Sequence, residues 1–220
     1  MLELTKNVFQ FIPFDVELLA FLFFLYFWRS LTYFEKWVGY IILISFCFDV
    51  LAEAALIFVV NKPSNQWVYN YTICILFLVV AWFYYVQINT KKVKIGIQYG
   101  AVLFLLCHIG NMAFGQGVEV INLYSILPAQ AAIAYLAYRY MRQVVEFSPN
   151  KPTNDFTFWY SGATLFNNIG TIPVLATINL LPPSDIETSG WLYNLNSIIG
   201  YYINFAIIIF GLLWTRKFQK

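Results

Sequence analysis

Apolar residues run in long unbroken stretches along this chain, separated by short polar breaks, from residue 14 almost to the end. Seven such stretches stand out, at residues 14–28, 37–60, 67–87, 93–114, 120–141, 156–181 and 191–214. Most hold about 20 residues, the length a helix needs to cross a ~30 Å hydrocarbon core. The runs are continuous rather than alternating, so the pattern predicts helices and not the strands of a membrane barrel. The fold class expected is therefore all-α: a polytopic membrane protein forming one seven-transmembrane-helix bundle over residues 1–220.

The first stretch is the shortest, with its uninterrupted apolar part at 18–28. The acids Asp15 and Glu17 precede it and no small-residue cleavage pattern follows it, so it reads as a retained helix rather than a signal peptide. Pro13 suits a helix start, and both acids then sit favourably at the N-terminus. With no polar stripe, this helix is expected at the periphery.

The remaining helices carry polar faces. In the second, Ser45, Asp49 and Glu53 fall at i, i+4 and i+8 and share one side. A carboxylate near the bilayer centre costs at least ~2.5 kcal/mol even on insertion scales, so these acids are expected to face the bundle interior. The third helix reads as packing. The fourth aligns Gly96, Gly100, Phe104, His108 and Asn111, its two glycines forming a pair that lets another helix approach closely. The fifth combines Pro128 and Gln130 with alanines that permit close packing. The sixth has Thr153, Asn154 and Asp155 as capping candidates, a polar face of Ser161, Thr164, Asn168 and Thr171, and Pro173 as an interruption. In the seventh, Asn194, Ser197, Tyr201 and Asn204 lie on one side.

Composition agrees with this reading, since 60% of the residues are apolar, 20% aromatic and only 11% charged, against roughly a quarter charged in soluble domains. The charges then give orientation. Eleven Lys and Arg fall on one side of the membrane, from Arg29 and Lys36 to Lys220, and only Lys6 and Lys62 on the other. The basic side is cytoplasmic, which puts the N-terminus outside, the C-terminus inside and the protein in the cell membrane as a multi-pass chain. Glu3, Asp15, Glu17, Asp185 and Glu187 are then external. Trp28, Trp37, Trp67, Trp191 and Trp214 mark segment ends, where indole rings prefer the headgroup region. The net charge of +2 is thus a topology signal, and nucleic acid is not an expected partner.

With orientation fixed, depth follows from 1.5 Å per residue. Asp49, Gln130, Asn168, Tyr201 and Asn204 come out near the midplane. Glu53, His108, Thr171 and Ser197 lie about one turn further out. This predicts a polar cavity in the outer half of the bundle, with Asp49, Glu53, His108, Asn111, Gln130, Asn168, Ser197, Tyr201 and Asn204 as ligand- or proton-binding candidates. Two carboxylates a turn apart repel each other, an arrangement suited to proton exchange or cation binding. His108 is either a hydrogen-bonded interior histidine or a partner of Glu53.

Other chemistries are disfavoured. A hydrolytic zinc site takes two or three histidines and this chain has one. No lysine lies within a helix body to carry a Schiff base, and Cys47, Cys74 and Cys107 sit singly in different helices as expected buried hydrophobes. No metal, cofactor or catalytic residue is expected. Ser161 lacks a nucleophile-elbow context, and its depth along the bundle differs from that of His108.

The leading functional expectation is a membrane sensor or signalling subunit. It would bind a small amphipathic or cationic molecule in the outer cavity and act on a cytoplasmic or membrane signalling partner. The alternative is a proton-coupled secondary transporter using Asp49 or Glu53, and a second alternative is an intramembrane hydrolase.

Overall fold

The computed structural model describes residues 2–58, 66–115, 117–118, 122–181 and 186–218. Among them there are seven long helices and no strand: α1 (Leu2–Phe27), α2 (Tyr33–Phe58), α3 (Gln66–Gln87), α4 (Lys91–Phe114), α5 (Leu123–Phe147), α6 (Phe156–Leu180) and α7. The last runs as an α-helix over Ile186–Ser197, widens to a π-helix over Ile198–Ile203 and resumes as α over Asn204–Phe218. Short 3-10 turns at Trp28–Ser30 and Pro152–Asn154 lead into α2 and α6. The expected segment ends at 60 and 120, and the side chains of Glu3, Lys6, Lys62, Glu119, Asp185 and Glu187, lie outside the described residues or side chains.

Four spans, Tyr33–Ala55, Gln66–Gln87, Lys91–Phe114 and Thr188–Lys217, are long and apolar enough to cross a membrane. The protein is therefore a membrane protein by the length and composition of its helices. α5 is the most polar of the seven up to its end at Phe147, and it shares with α6 the most extensive helix–helix contact in the molecule. A helix shielded by neighbours tolerates side chains such as Gln130 and Asn168 that lipid would reject.

Six helices close a ring in which α1 meets α2, α2 meets α3, α3 meets α5, α5 meets α6, α6 meets α7 and α7 returns to α1. α4 stands outside this ring, packed on α3 and α5. This reverses the sequence expectation that the first helix is peripheral. Ala20 and Phe24 of α1 are wholly buried, whereas Val102, Leu103, Leu106 and Ile109 of α4 are exposed on the bundle surface. α1 also starts well before Pro13, at Leu2, so Glu17 lies in the middle of a helix rather than in its first turn.

Close helix approach is also found elsewhere than expected. A Cβ built on Gly96 or Gly100 meets nothing within 4 Å, so no helix of this chain uses that pair. The tight crossing is between α6 and α7, where a Cβ on Gly211 would collide with Cβ of Trp159. Of the α5 alanines expected to permit close packing, Ala131, Ala132, Ala134 and Ala137, the last two are buried and the first two are exposed; Ala129 is buried as well. Cys47 and Cys107 are exposed and Cys74 is half-buried, not interior as expected. Lipid tails are as apolar as a core, so a thiol gains nothing by facing inward.

Loop chemistry fixes the entries. Thr32 and Glu35 form a capping box at α2: Thr32 N–H donates to Glu35 Oε2 at 2.6 Å and Glu35 N–H to Thr32 Oγ1 at 3.4 Å. Of the three capping candidates before α6, Asp155 is the one that acts, accepting from Thr157 N–H at 2.8 Å. α5 begins at Leu123, because the Asn122 carbonyl accepts from the N–H groups of Ser125 and Ile126.

Candidate functional site

The polar face of α2 meets two other helices. Ser45 donates its hydroxyl to Glu17 Oε1 of α1 at 2.8 Å, and Tyr201 of α7 donates to Asp49 Oδ2 at 3.2 Å. The Glu17 and Asp49 carboxyls face each other within hydrogen-bonding range. Glu17 is 0% and Asp49 6% exposed, and Glu17 Oε2 receives no donor from the described protein groups. Glu53 stands one turn along α2 from Asp49, half-buried, and Tyr69 of α3 adjoins all three acids electrostatically. Helices α1, α2, α3 and α7 thus contribute to a cluster of carboxyl and hydroxyl groups with no Lys, Arg or His in it among the described residues.

Tyr201 reaches this cluster from the π-helical stretch of α7. A π turn inserts an extra residue into the helical ladder, and such bulges recur at functional sites. The α7 helix is held to α2 a second time at its other end. There Arg216 Nη2 donates to Glu35 Oε2 at 2.5 Å and Nη1 to the Ser30 carbonyl at 2.9 Å. The pair of helices is therefore tied through Tyr201–Asp49 at one level and Arg216–Glu35 at the other.

His108 belongs to a separate cluster. Its Nε2 lies 3.0 Å from the Asn70 carbonyl, which can only accept, so Nε2 carries the proton. Nδ1 then accepts, with Ser125 Oγ at 2.7 Å and Asn122 Nδ2 at 3.3 Å. Asn122 also donates to the His108 carbonyl at 3.1 Å, accepts from Asn111 Nδ2, and through its own N–H donates to Asn70 Oδ1 at 2.9 Å. Asn70 in turn donates to the Val118 carbonyl. This network joins α3, α4 and the start of α5 and uses both nitrogens of the imidazole. It is the interior-histidine arrangement, and no hydrogen bond links His108 to Glu53 among the described residues.

The remaining candidates pair locally. Gln130 Nε2 donates to Thr171 Oγ1 at 3.2 Å across α5 and α6, and Asn168 Nδ2 to the Thr164 carbonyl at 2.7 Å. Ser197 donates to the Tyr193 carbonyl, and Asn204 Oδ1 is buried without a donor among the described groups. Ser161 accepts from Tyr84 at 3.2 Å. It therefore has a partner other than His108.

The structure thus brings together Asp49, Glu53 and Tyr201, and puts His108 and Asn111 in another cluster. Two surface clefts, both bordered by α5, are lined by none of these residues. Glu17, Tyr69, Asn70, Asn122 and Ser125 were not among the sequence candidates. Glu17 was legible in principle, because Ala20 and Phe24 at i+3 and i+7 share its face once the helix is extended upstream. No matching protein-family model, curated protein or solved structure is found for this chain.

Proposed function

We propose that this chain is a seven-span protein of the cell membrane, its N-terminus outside and its C-terminus in the cytoplasm, that senses a proton or small cation at Glu17 and Asp49. The observation that carries this reading is the facing, buried carboxyl pair with an oxygen lacking a protein donor. Such a pair is filled by one proton shared between the two groups, or by a cationic ligand donating to both. The spanning count rests on seven helices of suitable length and the orientation on the charge asymmetry of the loops.

Signalling follows from the two ties between α2 and α7. A cation on Asp49 competes with the Tyr201 hydroxyl for the same oxygen. Release of Tyr201 frees the π stretch to rewind, and the lower half of α7 carries that change to Arg216 and Glu35 at the cytoplasmic end. A cytoplasmic or membrane partner would read the position of that end. The small organic cations expected from the sequence are of the right charge for this site.

Proton-coupled transport is the second reading. It is favoured by the succession of backbone irregularities in three adjoining helices: Pro128 in α5, Pro173 in α6 and the π stretch in α7. Each weakens the helical ladder where a wall of the bundle would have to bend.

The test is thermal unfolding of the detergent-solubilised full chain from acid to alkaline pH, with and without a panel of small amines. Wild type should show a pH- and amine-dependent midpoint, and Glu17→Gln and Asp49→Asn should each flatten both responses. Identical profiles in all three proteins would remove the site from the reading. Amine or proton flux in reconstituted vesicles then separates transport, which predicts flux, from sensing, which predicts binding without it.

A further inference from the structure

We infer that the groove between α4 and α5 is a binding site for an anionic phospholipid of the adjoining leaflet. Its apolar part is a groove of about 340 Å³ bounded by Gly96, Gly100 and Ala101 of α4, Ala132 of α5, and Lys92 at its end. The two glycines create it: a Cβ on either would meet nothing within 4 Å. From Lys92 to Gly100 the helix rises about 12 Å, close to the ~15 Å of one hydrocarbon leaflet. The groove has the length and apolarity of an acyl chain running along the protein.

A second cleft borders the same two helices further along α5. It holds about 280 Å³ and is lined by Thr90, Arg139, Arg142, Gln143 and Glu146, with Asn89 and Phe147. On α5 the linings follow one face, Ala132, then Leu136, Arg139 and Gln143, at spacings of three and four. On the other wall they pass from Lys92 to Thr90 at the start of α4. The polar cleft is thus the headgroup end of the apolar groove.

Charge decides the occupant. Arg139, Arg142 and Lys92 line the two clefts, and among the described residues Arg142 is the one with an ion-pair partner, Glu146 at 2.6 Å. Arg139 Nε is buried and has no acceptor among the described groups. The first turn of α4, with its positive dipole end, starts beside the cleft at Thr90; the Val93 and Lys94 N–H groups donate to the Thr90 carbonyl, and the Thr90 side chain makes no bond to that turn. A buried guanidinium nitrogen and a helix N-terminus above an apolar groove match a phosphate joined to an acyl chain. A free anion would leave the groove unfilled, and a second protein helix would leave the basic cleft without a counter-charge.

The experiment is native mass spectrometry of the detergent-purified full chain, incubated with phosphatidylglycerol or phosphatidylcholine of identical acyl chains. Wild type should retain phosphatidylglycerol preferentially. Arg139→Gln should reduce that retention about fivefold, the usual weight of one basic residue against an anionic headgroup, and Arg139→Lys should restore part of it. Gly100→Leu, whose Cβ meets nothing within 4 Å, places a branched side chain in the groove and should reduce retention from the apolar end. The two variants act at opposite ends, so a folding defect in one does not remove the test.

Equal retention of both lipids, or phosphatidylglycerol binding insensitive to both substitutions, would overturn the site. So would inorganic phosphate binding that needs Arg139 but ignores Gly100→Leu, which would make the occupant a soluble anion. A dimer that Gly100→Leu converts to monomer would assign the groove to a second copy of the chain and also overturn it.

Discussion

Tyr201 carries a single polar atom into the carboxyl cluster, and removing that atom is the cleanest probe of it. Tyr201→Phe keeps the ring and deletes the donor to Asp49. Interhelical hydrogen bonds in membranes average about 0.6 kcal/mol and reach about 1.7, so the stability loss should be small. The response to pH and amines should change more, because Asp49 then lacks the competitor for an added cation. An unfolding titration reads both effects, and a stability loss with an unaltered response would mean that Tyr201 only holds α7 in place. Asn122→Ala should behave in the opposite way. It removes the donor to the His108 carbonyl and the acceptor of the Asn111 amide inside a buried network, and each lost hydrogen bond costs about 0.5–1.5 kcal/mol. The midpoint should fall while the amine response stays as in wild type, since no hydrogen bond joins the two clusters among the described residues. The sequence made half of this visible. Asp49 and Tyr201 stood out because carboxyl and hydroxyl groups at mid-membrane depth are costly unless they find partners inside the bundle. Glu17 did not, because an acid four residues after a proline reads equally well as a helix start. The partners of His108 are hidden too: the apolar pattern puts Asn122 inside the fifth stretch at 120–141, whereas it is the residue before α5, so helical periodicity misplaces its side chain.

At the level of helices, contact geometry separates glycines that the sequence treats alike. Gly96 sits in the spacing associated with helix pairing, yet an added methyl there meets nothing, whereas at Gly211 it would strike Trp159 at its own Cβ. Gly211→Ala should therefore force α6 and α7 apart at a cost of about 1–3 kcal/mol, the usual range for overpacking. Gly96→Ala should be neutral or stabilising by up to about 1 kcal/mol through helix propensity. Unfolding midpoints of the two variants in one detergent check the pair, and equal losses would contradict the assigned crossing. Apolar runs located every helix within a few residues, apart from the upstream extension of α1, because a run about 20 residues long has one comfortable conformation in a bilayer. They could not say which helix stands outside the ring. α4, with its histidine and glycines, has the more varied sequence, but its polar groups are consumed at one end by Asn70, Asn122 and Ser125. α1 takes a place in the ring with Glu17, Ala20 and Phe24 turned inward and Leu18, Leu22 and Leu25 outward, because Glu17 bonds Ser45 and lies beside Asp49. One buried acid outweighs the texture of a whole helix in deciding which face turns inward.

Across the whole molecule, the clusters sort to different levels of the bundle, and the sensing proposal depends on which way it faces. Arg216, Glu35, Arg139, Arg142, Asn89 and Gln143 gather at one end of the bundle, where Arg216–Glu35 ties α7 to α2 and Gln143 accepts from the Asn89 N–H at 2.8 Å. In the orientation proposed above, that end, which also holds the basic loops, faces the cytoplasm. The carboxyl cluster then lies nearer the outside, on the route a proton or cation would take inward, and the lipid groove opens to the inner leaflet. Single-cysteine accessibility tests this directly. With Cys47, Cys74 and Cys107 replaced by alanine, a cysteine at exposed Asn150, between α5 and α6, should react with a membrane-impermeant maleimide only after the membrane is opened. One at exposed Gly190, at the start of α7, should react in intact cells. Alanine is tolerable at the native positions because two of the three thiols lie on the bundle surface and the third is half-buried. If both positions label from the same side, α6 does not cross, and a ring of six spanning helices cannot close. Reversed labelling would leave the ring intact but put the Arg216–Glu35 tie outside the cell, where no cytoplasmic partner could read it, and the groove in the outer leaflet. The orientation thus bears on the sensing reading and on the lipid site separately: reversal would end the first, while the second would survive with the leaflet exchanged.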